Sequence, residues 1–321
     1  MNGVFEINFA IFSLFIALYI TEIMGSVLLL LFWKASRAAV LPYVIPVWEL
    51  TGTFGALWVV TADFAYPSLL LPAAALFAPV AVIGLIVFVI RNSSISYAEF
   101  ILKRGWLDEE KLYKAYALAT VVVGLAVLMA LSALFSGAGV DLAAGSFSFI
   151  GWVSTPGSLL FLLGTVLIAV GAAPIFYGVT TFRTIVLPCM IAGMGVSVLA
   201  YYLYSPSLVP GWMLVPVLLT LLAGLLFVLS GTTARIVSHK VVFLTVLSLI
   251  VFSLQFAAYP TLADGAIPID TVTTSGPMAS AYVVITAIGA LLIGAMIAFL
   301  LLMARRPVRG TREGIAGGRS A

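Results

Sequence analysis

The sequence predicts an all-α integral membrane fold with nine transmembrane helices, and three observations predict it. Of 321 residues, 63% are hydrophobic and only 8% are charged, where soluble domains carry about 25% charged residues. Apolar runs of about 20 residues, each long enough to cross ~30 Å of hydrocarbon, recur along the chain. The basic residues gather between alternate runs, as orientation in a bilayer requires.

The runs lie near 8–33, 46–69, 72–90, 113–136, 157–179, 184–204, 211–231, 240–260 and 280–304. Charged or turn-forming stretches punctuate most of them: "KASRAAVLP", "RNSSISYAEFILKRGWLDEEK", "SPSLVPG", "SGTTARIVSHK" and "DGAIPIDTVTTSGP". The chain therefore reads as one polytopic membrane domain, residues 1–321, ending in a basic tail over 305–321. With the N-terminus outside, the inner segments are 34–45, 91–112, 180–184, 232–240 and the tail. Every one of the 15 Lys and Arg residues falls in these segments or, for Lys114, at their edge. The outer segments carry Glu6, Asp141, Asp264 and Asp270 and no base. The span count and the orientation, N-terminus outside and C-terminus cytoplasmic, support each other, because one span more or fewer would scramble that split.

This distribution makes the net charge of +3 a topology signal and excludes a nucleic-acid footprint. The single Cys189 offers neither an internal disulfide nor a thiolate cluster. "MNGVFEINF" lacks the basic start of a cleaved leader and reads as the beginning of the first span. No glycine-rich phosphate loop is present. Segment 91–112, with Tyr97, Phe100, Ile101 and Trp106 among its charges, is long enough for a short surface helix and reads as lying at the membrane interface.

Histidine narrows the chemistry further. Membrane subunits that carry haem usually supply axial histidines from their spans. The only histidine here, His239, belongs to the basic "RIVSHK" loop. The chain is expected to hold neither haem nor metal, so any redox centre belongs to another subunit.

Three carboxylic acids within the apolar runs are the remaining candidates. Glu22 is in the middle of the first run, Glu49 near the inner end of the second, and Asp63 towards its outer end. A charge at the centre of a membrane helix costs about 2.5–3.5 kcal/mol on insertion scales. The fourteen residues from Glu49 to Asp63 amount to nearly four helical turns and ~21 Å of rise, so both project from one face, beside Gly52, Thr53 and Ala56. Each acid is either a hydrogen-bonded tie between helices or a station on a proton path, since isolated carboxyls in a bilayer can exchange protons near neutrality. None has a basic partner within its own run. Arg91, closing the third run, reads as a positive-inside anchor, and Gln255 as an interhelical hydrogen-bonding residue.

The second run ends in "DFAYPSLLLP" and the eighth in "QFAAYPTLADGAIP". The echo fits either duplicated bundles or two spans ending under the same interfacial rules.

"PVWE" opening the second span, then Gly-Ala-Leu, then "FAYP", with Trp48 and Pro67 nineteen positions apart and Arg91 closing the third span, resembles subunit II of the cytochrome bd-type quinol oxidases. Span five and the stretch from "VFSLQFAAYP" to "LLLMARRP" are similar to that family as well. Its Gly-Phe-Asp motif in the first span is replaced by "ITEIMGSV". Thr51 and Phe54 stand where the family usually has Asn and a second Trp. These departures mark a divergent, archaeal-type member. The resemblance implies two four-helix bundles plus one peripheral helix in a multi-pass chain of the cytoplasmic membrane. It implies a haem-free scaffold for a haem-bearing oxidase subunit I, with haems in that partner, and membrane lipid, a structural quinone and small accessory subunits as further companions. It also implies a proton route past Glu49, the acid after the Trp of "PVWE"; Asp63 has no family counterpart and Glu22 only loosely replaces the missing motif. Two rival functions stay open: a membrane anchor of another respiratory complex, and a secondary transporter with Pro174, Pro188 and Pro216 as helix breakers.

Overall fold

The computed structural model describes residues 3–67, 74–101, 108–141, 144–204, 240–258 and 276–304, with a few positions between 222 and 229 and the pairs 261–262 and 267–268. Their helices are α1 (Gly3–Ala65), α2 (Ala78–Phe100), α3 (Glu109–Ser136), the short α4 (Phe149–Val153), α5 (Pro156–Tyr177), α6 (Arg183–Tyr204), α7 (Lys240–Ala258) and α8 (Gly276–Ala304). Six of them are long and apolar enough to cross a membrane. The chain is an all-α, multi-pass membrane protein.

The expected spans at 8–33 and 46–69 share α1, and those near 72–90, 113–136, 157–179, 184–204, 240–260 and 280–304 overlap α2, α3, α5, α6, α7 and α8. The span at 211–231 lies almost entirely outside the described residues, as do His239, Pro216 and the tail. Segment 34–45, expected as a loop, is helical instead, and the short helix expected within 91–112 is a continuation of the third span's helix. Residues 34–45 continue α1, and residues 91–100 continue α2.

Helix α1 is a hairpin in space. At Phe32 the backbone leaves helical geometry (φ −139°, ψ 45°), and the second arm runs back along the first. Phe5 stacks on Tyr66 at 5.3 Å, and Phe12 tilts against Trp58 at 4.7 Å. Asn8 Nδ2 donates to Thr61 Oγ1 at 3.2 Å. The bend frees carbonyls in an apolar setting where each needs a donor. Ser36 Oγ supplies one, donating to Leu28 O and Phe32 O at 3.0 and 2.9 Å. Continuing the register of the arms places Glu22 level with Trp48 and Glu49.

The other helices assemble on this hairpin. Helices α3, α5, α7 and α8 pack against α1, α2 packs on α3, and α5 pairs closely with α6. The main core joins Met24, Leu28, Leu29 and Val44 of α1 to Ile95 of α2, Tyr113 and Tyr116 of α3, and Phe176 of α5. Gln255 of α7 ties into the first arm, donating to Ser13 Oγ at 2.8 Å and to Phe9 O at 3.2 Å, the interhelical role expected of it. Two antiparallel ladders, β1 (Val140–Asp141) with β2 (Ser146–Phe147) and β3 (Thr261–Leu262) with β4 (Ile267–Pro268), punctuate the connections.

Helix α3 starts at Asp108, whose carboxylate accepts from the Lys111 backbone N–H at 2.8 Å. That bond, with the nearby Lys111 ammonium, holds the Asp108 carboxyl below its ordinary value. A carboxyl depressed in the folded state stabilises fully above the unfolded value near 3.9 and loses the effect as pH falls through the folded value. Amide-exchange protection of Lys111 is therefore expected to persist through mildly acidic pH and to fall below it, and Asp108→Ala should remove it at neutral pH.

The α5–α6 crossing depends on glycine. A Cβ at Gly193 would come within 2.7 Å of Ile168 N and 2.9 Å of Gly164 O, both backbone atoms that cannot swing aside. One at Gly195 would meet nothing within 4 Å. Gly193→Ala is expected to cost about 1–3 kcal/mol and Gly195→Ala far less, measured by thermal unfolding in detergent.

Candidate functional site

Three elements meet around one buried ion pair. Arg91 of α2 donates through Nη2 to Oε1 of Glu22 on the first arm, and the two side chains are 1% and 0% exposed. The hydroxyl of Tyr116, from α3, donates to the same oxygen. Arg91 Nε donates to Thr120 Oγ1 at 3.2 Å, and Nη1 to Asn92 Oδ1 at 2.7 Å. The guanidinium lies over the rings of Phe88 and Tyr116, at 5.2 and 5.4 Å. Tyr19 closes the cluster by donating to Thr120 O at 3.2 Å. Each guanidinium nitrogen thus has an acceptor, which a buried cation requires.

Arg91 is accordingly not a surface anchor. The expected span boundary at residue 90 placed it at the rim, whereas α2 runs ten residues further and carries it inside. The helix continues there because Ile95 and Ala98, one and two turns on from Arg91, are buried in the main core. Glu22 does have a basic partner, supplied by another span 69 positions away. That pairing cannot be read within either run. The visible signal was the helix-spaced apolar continuation after Arg91.

The other acids stand differently. Glu49 is exposed on the second arm and lines an open groove of about 510 Å³ with Trp48, Gly52, Thr53, Ala56, Phe88 and Asn92. Thr53 Oγ1 donates to the Glu49 backbone carbonyl at 2.9 Å, so the hydroxyl is engaged on its own helix. Asp63 is exposed on the same arm, towards the end where Phe5 meets Tyr66. The two acids share an outward aspect, as their spacing predicts, but not a site. Pro67 is half-buried beyond α1, and Trp48 is half-buried between the groove and the main core. Among the described residues no three His, Cys, Asp or Glu side chains come together to hold a metal, and there is no histidine to offer a haem an axial imidazole.

No family model matches the sequence, and no curated protein does. Among solved structures, the chain is similar to a chain of the bd oxidase from Geobacillus thermodenitrificans, with a TM-score of 0.70 and 18% identity. The likeness covers 94% of this chain and 98% of that one. The chain has a bd-oxidase-like fold. At this identity the likeness rests on the arrangement of helices, because few side chains are shared.

The cluster makes a stability prediction. Arg91→Met leaves the Glu22 carboxylate buried without its counter-ion and should destabilise the protein by about 3–5 kcal/mol. Pairing it with Glu22→Leu should recover a large part of that loss, because both charges then leave the interior together. Thermal unfolding of the three variants in detergent provides the comparison.

Proposed function

We propose that this chain is the haem-free subunit II of a bd-type quinol oxidase of the cytoplasmic membrane, scaffolding a haem-bearing partner and taking up cytoplasmic protons at Glu49 for oxygen reduction there. The observation that carries the reading is the fold likeness to a bd oxidase chain along nearly the whole of both chains. The haems belong to the partner, and a structural quinone and small accessory subunits fit the same reading.

Glu49 gives the reading its chemistry. Its carboxylate stands on the exposed side of a membrane helix whose neighbours Val59 and Val60 are 48% and 46% exposed. Such a group facing lipid would cost a few kcal/mol, so this side fits against a partner subunit and a file of water. There a carboxyl can collect a proton and pass it on. Glu22 and Asp63 are the candidates for the station that works with it.

In the purified complex, Glu49→Gln is expected to slow oxygen reduction and proton uptake by roughly 10²-fold while haem content stays unchanged. Wild-type rates of both would rule out the proton role. A native complex without haem would rule out the oxidase assignment itself.

A further inference from the structure

The groove at Glu49 and the buried ion pair share a wall of two residues, Phe88 and Asn92. Phe88 lines the groove and carries the Arg91 guanidinium on its ring. Asn92 lines the groove and accepts from Arg91 Nη1 at 2.7 Å. A guanidinium only donates, so the atom facing it must be the amide oxygen. The Asn92 NH2 group is thereby turned away from Arg91, and the residue lines the same groove as Glu49. On the far side of the wall, Glu22 Oε1 is engaged by Arg91 and Tyr116, while Glu22 Oε2 is buried with no hydrogen-bond partner among the described residues.

We propose that Asn92 is a positioning residue coupling the Glu49 groove to the buried Glu22–Arg91 pair, so that the acid working with Glu49 is Glu22 and not Asp63. The inference rests on the proton-uptake reading of Glu49. When Glu49 is ionised, the Asn92 NH2 group has an anion on its side of the wall, directly or through water. The amide then turns its oxygen fully to Arg91 and holds the cation on Glu22. When Glu49 takes a proton that pull is lost and Arg91 loosens its hold on Glu22, whose Oε2 is the oxygen left open to receive the proton. Asp63 lies nearly four turns along the same arm, ~21 Å away, with no comparable connection among the described residues.

The charged and titratable neighbours are few. Glu22 faces Arg91 from α2, Tyr116 from α3 and Tyr19 from its own arm. Tyr43 of the second arm and Tyr177 of α5 bond to Thr21, the residue beside it, at 2.9 and 2.8 Å. Among the residues lining the groove, Glu49 is the only charged one.

The test uses the whole oxidase complex, comparing the rate of proton uptake and the haem content across variants. Asn92→Leu should slow uptake roughly tenfold at unchanged haem content, and Asn92→Gln, which keeps the amide, should restore much of it. Asn92→Leu added to Glu49→Gln should slow uptake no further. Glu22→Gln should slow uptake as Glu49→Gln does, and Asp63→Asn should leave it at the wild-type rate. Should Asn92→Leu prevent assembly, Asn92→Asp decides: it keeps an oxygen on Arg91 but loses the NH2 group, and should still slow uptake. Wild-type uptake in the assembled Asn92 variants, or in Glu22→Gln, overturns the coupling. If Glu49→Gln remains slow in that case, the proton-uptake reading survives; if Glu49→Gln is also at the wild-type rate, both fall.

Discussion

The pairing of Glu22 with Arg91 constrains the rest of the molecule more than any other contact. Neither charge could occupy an apolar interior alone, since an uncompensated buried ion costs several kcal/mol. Each therefore obliges the other to be present, and together they oblige the first arm of α1, α2 and α3 to stand in one register. Tyr116 and Thr120 serve the pair from α3 one turn apart, and Asn92 serves it from the next position on α2. A slip of any of these helices by one turn, about 5.4 Å, would strand a cation, an anion or both. Apolar packing along these helices tolerates sliding, because one leucine resembles the next. The polar cluster does not.

Elsewhere the fold relies on other means. The two arms of α1 are joined by aromatic pairs and by Asn8 with Thr61. Helices α5 and α6 approach so closely that Gly164, Gly171 and Gly193 leave no room for a side chain, and close van der Waals contact supplies the attraction that hydrophobic exclusion cannot provide between helices in lipid. Near the bend, Lys240 lies over the rings of Tyr43, Phe176 and Tyr177, at 4.5 to 5.7 Å, and so joins α7 to α1 and α5. These contacts secure individual neighbours, whereas the ion pair sets the height of three helices at once.

The outward side of the second arm asks for a different explanation. Glu49 presents a carboxylate from an apolar helix surface. A side that is unfavourable in lipid and open in the isolated chain is understandable as one that functions when covered. Its floor of Gly52 and Ala56 beside the aromatic walls of Trp48 and Phe88 leaves room for such a cover to approach.

Much of this architecture was legible in the sequence. Apolar run length located the helices, because the thickness of hydrocarbon sets how much chain must cross it. Helical period placed Glu49 and Asp63 on one side of one helix. The rule that polar groups in spans find partners anticipated Gln255. The bend at Phe32, the extension of α2 past Arg91 and the choice of partner for Glu22 were not legible. A charged residue after an apolar run reads alike whether the helix stops there or carries it inside, and an acid's partner on another span leaves no local trace. The sequence by itself determined that this chain spans the membrane many times and which residues pose an electrostatic problem there. Only the tertiary structure decided how that problem is solved, because the energy of a buried charge depends on what stands within a few ångströms of it, and those neighbours come from helices far apart in the chain.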